Sequence, residues 1–161
     1  PEEWGYREEN AVGRIGGAGL PMGFNRTPHY RDGLLLVGDA GGMVSPFNGE
    51  GIAAAMESAS LAAEHVVQAL ARPEGPSRER ALRGYPRAVA DLMGGYYQLG
   101  NQFARAIGKP RIMRLATKYG LRIRPLIPLV FKGMSGCYDA RGGDAVDRLV
   151  TALSKAAPTP R

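Results

Sequence analysis

Cysteine is almost missing: Cys137 stands alone among 161 residues. That excludes an intrachain disulfide and a cysteine-rich metal site, and a lone thiol is more often a small apolar residue than a nucleophile. No metal site is expected. No run of roughly eighteen apolar residues marks a spanning helix, and no signal segment is visible. A cytoplasmic location is therefore the default expectation. There is no GxGxxG after a strand-like run, and no helical run follows the nearest glycine cluster, Gly16-Gly17-Ala18-Gly19. Acidic residues are absent from Leu92 to Tyr138, where Arg105, Lys109, Arg111, Arg114, Lys118, Arg122, Arg124 and Lys132 stand. With a net charge of +6, this leaves nucleic acid, anionic headgroups or a phosphorylated substrate as compatible partners. Repeats and low-complexity stretches are also absent.

What is present centres on Gly33 to Leu61, GLLLVGDAGGMVSPFNGEGIAAAMESASL. Leu34 to Val37 is a short apolar run without alternation, as in a strand covered on both faces. Gly38-Asp39 closes it, and Gly41, Gly42, Pro46, Asn48, Gly49 and Gly51 crowd the connection that follows. From Ile52 to about Ala71 the pattern is helical and rich in alanine. A helix start without side chains offers free N–H groups and a positive dipole end. Its glycines permit close approach. Asp39, at the end of the strand, offers a carboxylate to the hydroxyls of a polyol or ribose. Such a unit suits a ligand that is anionic or carbonyl-rich at one end and hydroxylated along its length.

LLLVGDAGGMVSPFNGEGIAAAMES resembles the second flavin-binding motif of the FAD-dependent geranylgeranyl reductase family, within the para-hydroxybenzoate hydroxylase-like flavoproteins. Gly38-Asp39, Pro46 and Gly49-x-Gly51 belong to the wider group. Pro46-Phe47-Asn48-Gly49-Glu50-Gly51-Ile52 with Ala55-Met56-Glu57-Ser58 is closer to the reductases. The resemblance implies that Asp39 binds the ribityl chain of FAD, and that Gly49, Glu50, Gly51 and Ile52 turn backbone N–H groups to the pyrimidine carbonyl. It places Gly38 at the strand end and Pro46 beside the isoalloxazine ring. A helix N-terminus there would stabilise reduced flavin and raise its potential. The segment Gly19-Leu20-Pro21-Met22-Gly23 resembles the family's strand end that reaches the flavin.

The family's ADP-binding unit is not in this sequence, which begins at Pro1. The expectation is thus the C-terminal part of a longer flavoprotein. Its fold class would be α/β in the N-terminal third, as the end of a FAD-binding Rossmann-like domain, and mainly α-helical beyond. The expected divisions are 1–32, the end of a substrate-domain sheet with its connecting loop; 33–72, the strand-turn-helix motif; and 73–161, a helical region.

Along the chain, Trp4 and Tyr6 are candidates for a cavity wall, with packing at an edge the commoner role. One strand is expected around 13–19 and a loop over 25–32, where His29 reads as a surface or loop histidine rather than a base. On the helix from Ile52, the residues Ile52, Ala55, Met56, Ala59, Ala62, Ala63, Val66 and Leu70 mark the packing face, and His65 lies at the solvated one. Arg72 to Pro76 is a linker. Ser77 is a candidate cap for a helix running to about Ile107 and kinked or broken at Pro86. Met93, Tyr96, Tyr97, Leu99 and Phe103 read as core, or as a wall for a long apolar substrate. A short helix follows Pro110, Pro125 to Phe131 is apolar, and Gly142-Gly143-Asp144 caps a last helix bearing Val146, Leu149, Val150 and Leu153. Pro158 to Arg161 reads as a frayed tail.

The function expected from the resemblance is reduction of C=C bonds in an isoprenoid chain, of geranylgeranyl or menaquinone type. FAD is the cofactor, and NAD(P)H or another reductant the electron donor. GGDAVDRLVTALSKAAP resembles bacterial members, for which menaquinone side-chain reduction is the implied activity. No catalytic residue is identified. The rivals are a monooxygenase or halogenase of the same group, and an inactive fragment or membrane-surface interaction module. Peripheral membrane contact is expected through the basic 92–138 region. Nucleic acid is not expected, because aromatic and basic residues cluster apart.

Overall fold

The computed structural model describes residues 2–5, 7–14, 16–137, 139 and 143–156. A hairpin opens the ordered part. Asp32 and Gly33 both adopt positive φ, 48° and 85°, the geometry of a two-residue hairpin turn that an Asp-Gly pair favours. The turn folds β2 (Leu34–Leu35) back on β1 (Tyr30–Arg31), antiparallel, with Tyr30 opposite Leu35. Pairing with the segment just before it replaces the buried strand expected at Leu34–Val37, and Leu34 is 63% exposed. These two strands form the one sheet among the described residues. A Rossmann-like sheet is not seen there. The strand expected around 13–19 is also missing from its described residues: the stretch is glycine-rich, finds no pairing partner and lies exposed.

The remainder is helical. α1 (Ile52–Leu70) begins where expected. Its packed face differs from the expected one, being small and partly polar: Ala54, Ser58 and Ala69 are buried, while Ile52, Met56 and Leu70 are exposed. The reason is close approach. A Cβ on Gly38 would stand 3.0 Å from that of Ala55, so only small residues fit under the turn. His65 is half-buried rather than solvated, and its Nδ1–H donates to the Ala81 carbonyl at 2.8 Å.

α2 (Pro76–Leu82) starts after Gly75, with proline in the first turn, so Ser77 is not its cap. The expected long helix is broken at Arg83-Gly84. Its second piece, α3 (Tyr85–Val89), continues through a π turn at Ala90–Gly94 into α4 (Gly95–Ile107). Pro86 sits in the first turn of α3, where its missing N–H has no partner to lose. α5 (Pro110–Tyr119), α6 (Leu126–Ser135) and α7 (Ala145–Ala156) complete the chain. Asp144 caps α7, accepting from Val146 N–H at 2.9 Å and Asp147 N–H at 3.0 Å. Tyr6, Gly142 and the 158–161 tail lie outside the described residues.

The core joins the turn to the rod of α3 and α4. Phe24, Met43, Ala54, Tyr85, Val89, Met93 and Tyr97 pack together, with Leu35, Val37, Leu61, Ala62 and Tyr96 against them. Met93 and Tyr97 therefore serve as core. α7 crosses α4 at Gly95, where an added Cβ would run into the Ser154 carbonyl oxygen. Gly133, in α6, has nothing within 4 Å of such a Cβ.

The same substitution should thus have opposite signs at these two glycines. Gly133→Ala should raise stability by about 0.5–1 kcal/mol through helix propensity. Gly95→Ala should lower it by roughly 1–3 kcal/mol through overpacking. Urea unfolding followed by circular dichroism measures both.

Candidate functional site

The glycine-rich connection is built on hydrogen bonds drawn from several helices. Gly38 to Gly41 form a single 3-10 turn that ends at Gly42, in the left-handed region. A Cβ at Gly42 would come within 2.9 Å of Arg26 N, so backbone lies directly beneath. The segment before β1 crosses this turn: Gly23 N–H donates to the Val44 carbonyl and Phe24 N–H to that of Gly42, at 3.0 and 2.9 Å. Met22 and Val44 form a parallel bridge.

Side chains hold the remaining polar groups of the turn. Gly38 N–H donates to Ser58 Oγ at 3.1 Å, and the Tyr85 hydroxyl donates to the Leu36 carbonyl at 2.7 Å. The Tyr97 hydroxyl donates to the Met43 carbonyl at 2.9 Å, and Asn101 Nδ2 to that of Gly23 at 3.1 Å. Burial pushes the Tyr85 phenol up to about 12. Burial, with the Glu50 and Glu57 carboxylates adding to it, raises that of Tyr97 as well. Both therefore remain hydroxyl donors at neutral pH.

His29 lies in the expected loop but is buried, 6% exposed, against the ring of Phe24. Its Nε2–H donates to the Gly41 carbonyl at 2.9 Å. Burial lowers its pKa from 6.5, outweighing the hydrogen bond to Gly41.

The residues singled out by sequence fall into two sets. Asp39, Gly51 and Ile52 come together. Asp39 is exposed, its carboxylate makes no hydrogen bond or ion pair among the described residues, and its Oδ1 would stand 3.3 Å from a Cβ on Gly51. The α1 start carries no side-chain cap at Gly51. The Gly51 and Ile52 N–H groups make no hydrogen bond among the described residues, whereas Glu50 Oε1 accepts from Ala53 N–H at 2.7 Å.

The other set is engaged in the turn itself. Gly49 N–H donates to the Ser45 carbonyl at 3.0 Å and Glu50 N–H to Asn48 Oδ1, also at 3.0 Å. Gly38 is buried beside Ala55. Pro46 is buried with its ring against α4, where Gly100 leaves room for it. Leu20 and Met22 reach Gly49: a Cβ there would contact them at 3.5 and 3.7 Å.

Beside the helix start lies a cleft of about 480 Å³, lined among others by Asn48, Glu50, Glu57, Leu92, Tyr96 and Ser135. A larger hollow of about 680 Å³ over α2 is lined by none of the turn residues. There Arg78 and Arg83 pair with Glu74 and Glu79, so the cleft at the turn is the one beside the candidate chemistry. Trp4 is exposed and lines neither. Among the described residues, no cluster of His, Cys, Asp and Glu is arranged to hold a metal ion.

Ser58, Tyr85, Tyr97, Asn101 and His29 were not assigned to the site from sequence. Only Ser58 had a local signal, its place in the segment Ala55-Met56-Glu57-Ser58 that carries the resemblance.

No family model matches the chain, and no solved structure matches it. Among curated proteins it is similar to a menaquinone reductase of Mycobacterium tuberculosis, 28% identical over 159 residues, covering 92% of this chain and 36% of that protein. A menaquinone reductase of Mycolicibacterium smegmatis is 27% identical, with 92% and 34% covered. A digeranylgeranylglycerophospholipid reductase of Methanocaldococcus jannaschii is 38% identical over 74 residues, covering 46% of the chain and 18% of that protein. The chain spans about a third of the length of the menaquinone reductases it matches.

His29 makes the turn sensitive to pH. Its folded-state pKa lies below its unfolded value, so its contribution is fully present above about pH 6.5. It is lost as pH falls from there toward the folded value, by at most about 1.4 kcal/mol per pH unit. Urea midpoints between pH 5 and 8 should fall on the acid side, and His29→Gln, which keeps an N–H donor, should flatten that fall.

Proposed function

We propose that this chain forms the flavin-contacting turn and helical region of a reductase that saturates carbon–carbon double bonds in an isoprenoid chain, of geranylgeranyl or menaquinone type. The observation that carries the reading is the exposed Asp39 carboxylate standing beside the open start of α1 at Gly51-Ile52, with Leu20 and Met22 reaching Gly49 just before it. The reductase names of the similar proteins support the same direction.

The residues present fit FAD. Asp39 has a carboxylate with no partner among the described residues, suited to the ribityl hydroxyls. Gly51 and Ile52 have N–H groups with no acceptor among the described residues, at the positive end of a helix, suited to a pyrimidine carbonyl. Gly51 has no Cβ, which keeps both groups accessible from one side. Gly49 and Glu50 spend their own N–H groups inside the turn, so their part is to shape it. Glu50 also shields Ala53 N–H, leaving the donors focused on Gly51 and Ile52. Gly38 and Pro46 seat the turn on α1 and α4. Reduced flavin, when bound, supplies hydride to one alkene carbon, and a proton completes the addition. NAD(P)H or another reductant would be the electron donor.

The test is the visible spectrum of the longest natural polypeptide that carries this chain. A yellow protein is expected. Asp39→Ala should weaken flavin retention about tenfold or more, as loss of hydrogen bonds to a charged group implies. Gly51→Ala should weaken it too, since its added Cβ would stand 3.3 Å from both Asp39 Oδ1 and the buried Val44 side chain. Under anaerobic conditions the reduced protein should add two hydrogens to a prenyl lipid. A colourless protein, or unchanged flavin in Asp39→Ala, overturns the cofactor reading. Oxygen-dependent hydroxylation instead of reduction overturns the activity.

A further inference from the structure

α5 stands out from the core with an amphipathic pattern and no buried residue. Ile112, Leu115 and Tyr119 follow one another at three- and four-residue steps, as do Arg111, Arg114 and Lys118, so the helix carries an apolar row beside a cationic one. Both rows are exposed; Leu115 is 58% and Tyr119 51% accessible. Beyond α5, Ile123 and, on α6, Ile127 and Phe131 are exposed too, the last 68% accessible. An exposed apolar row on a helix that buries none of its residues marks an interaction surface.

The charges identify the partner. Of the eight cations between Leu92 and Tyr138, Lys132 is neutralised, with its Nζ 2.8 Å from both Asp144 and Asp147. The other seven make no ion pair among the described residues, and no acid in the stretch offsets them. We propose that α5 lies on an anionic lipid bilayer, with Ile112, Leu115 and Tyr119 entering the headgroup boundary and Arg111, Arg114 and Lys118 meeting lipid phosphates.

A row of aliphatic side chains under a cationic edge is the pattern of an interfacial helix. A second copy of the chain would bring like charges together. Nucleic acid would call for aromatic stacking platforms, and α5 carries one aromatic, Tyr119, already under the Lys118 ammonium at 5.2 Å. No described helix is long and apolar enough to cross a membrane, so this contact is peripheral. The argument uses neither Asp39 nor the glycine turn, so it stands or falls apart from the cofactor reading.

The experiment is cosedimentation with vesicles, using this chain and the longest natural polypeptide that carries it. Both should bind phosphatidylcholine vesicles in which roughly a third of the lipid is replaced by phosphatidylglycerol, and bind pure phosphatidylcholine far less. Combined Arg111→Gln, Arg114→Gln and Lys118→Gln should weaken partitioning roughly fivefold per charge removed. Leu115→Ser with Tyr119→Ser should abolish the binding that persists in high salt. All five side chains are exposed, so helical circular dichroism should be unchanged in both variants. The proposal is overturned by equal binding to neutral vesicles, or by wild-type partitioning in both variants. It is also overturned if only the shorter form binds, which makes the face an internal contact. Tighter binding of single-stranded RNA than of vesicles, or a dimer that the apolar variant dissociates, overturns it as well.

Discussion

Irregular backbone that is buried must find hydrogen-bond partners outside the regular ladders of helix and sheet. The stretch from Leu36 to Met43 meets that requirement by borrowing from four places. Tyr85 in α3 takes the Leu36 carbonyl, Ser58 in α1 takes the Gly38 N–H, His29 takes the Gly41 carbonyl, and Tyr97 in α4 takes that of Met43. Each side chain is also a packing element, so the core and the turn are one construction. The glycines follow from the same constraint. Helix α1 and the 23–26 backbone come so close to the turn that a Cβ at Gly38 or Gly42 would collide with them. What emerges on the outer side is a carboxylate and a helix start that nothing inside the described chain uses.

The legible part of this fold was local. Alanine-rich periodicity located α1, and Asp144 announced the last helix, because both signals lie within a few residues of what they specify. Asp32-Gly33 was an equally local hairpin signal, but the apolar run after it suggested a buried strand and masked it. The packed face of α1 was misread for a different reason. Periodicity ranks faces by hydrophobicity, whereas the turn selects by size, so Ala54 and Ser58 face inward and Met56 outward. At the site, the glycine spacing and Asp39 could be read directly. Tyr85, Tyr97 and Asn101 could not, since their partners lie 49, 54 and 78 residues away in sequence. His29 seemed an ordinary loop residue because nothing near it in sequence shows that Phe24 and Gly41 enclose it.

The chain separates two kinds of surface. Near the turn, negative charge and open N–H groups sit together on a scaffold fixed by buried hydroxyls. On α5 apolar and cationic side chains are exposed, and on α6 apolar ones, on helices that contribute nothing buried. Lys132 marks the boundary: it belongs to the basic stretch by sequence, but is spent in tying α6 to the carboxylates at the start of α7.

The π turn at Ala90–Gly94 has a consequence in angular phase. The side chains by which the rod grips the core and the turn recur every fourth residue: Tyr85, Val89, Met93, Tyr97 and then Asn101. In an ideal α-helix, four residues overshoot a full revolution by about 40°, so a strict four-residue series winds steadily around the axis. A π turn, closed by hydrogen bonds five residues apart, holds more than four residues per revolution, so a four-residue step there falls short. The widened turn takes back part of the accumulated rotation. Tyr97 and Asn101 thereby stay on the same side of the rod as Tyr85 and Val89, where they reach the carbonyls of Met43 and Gly23.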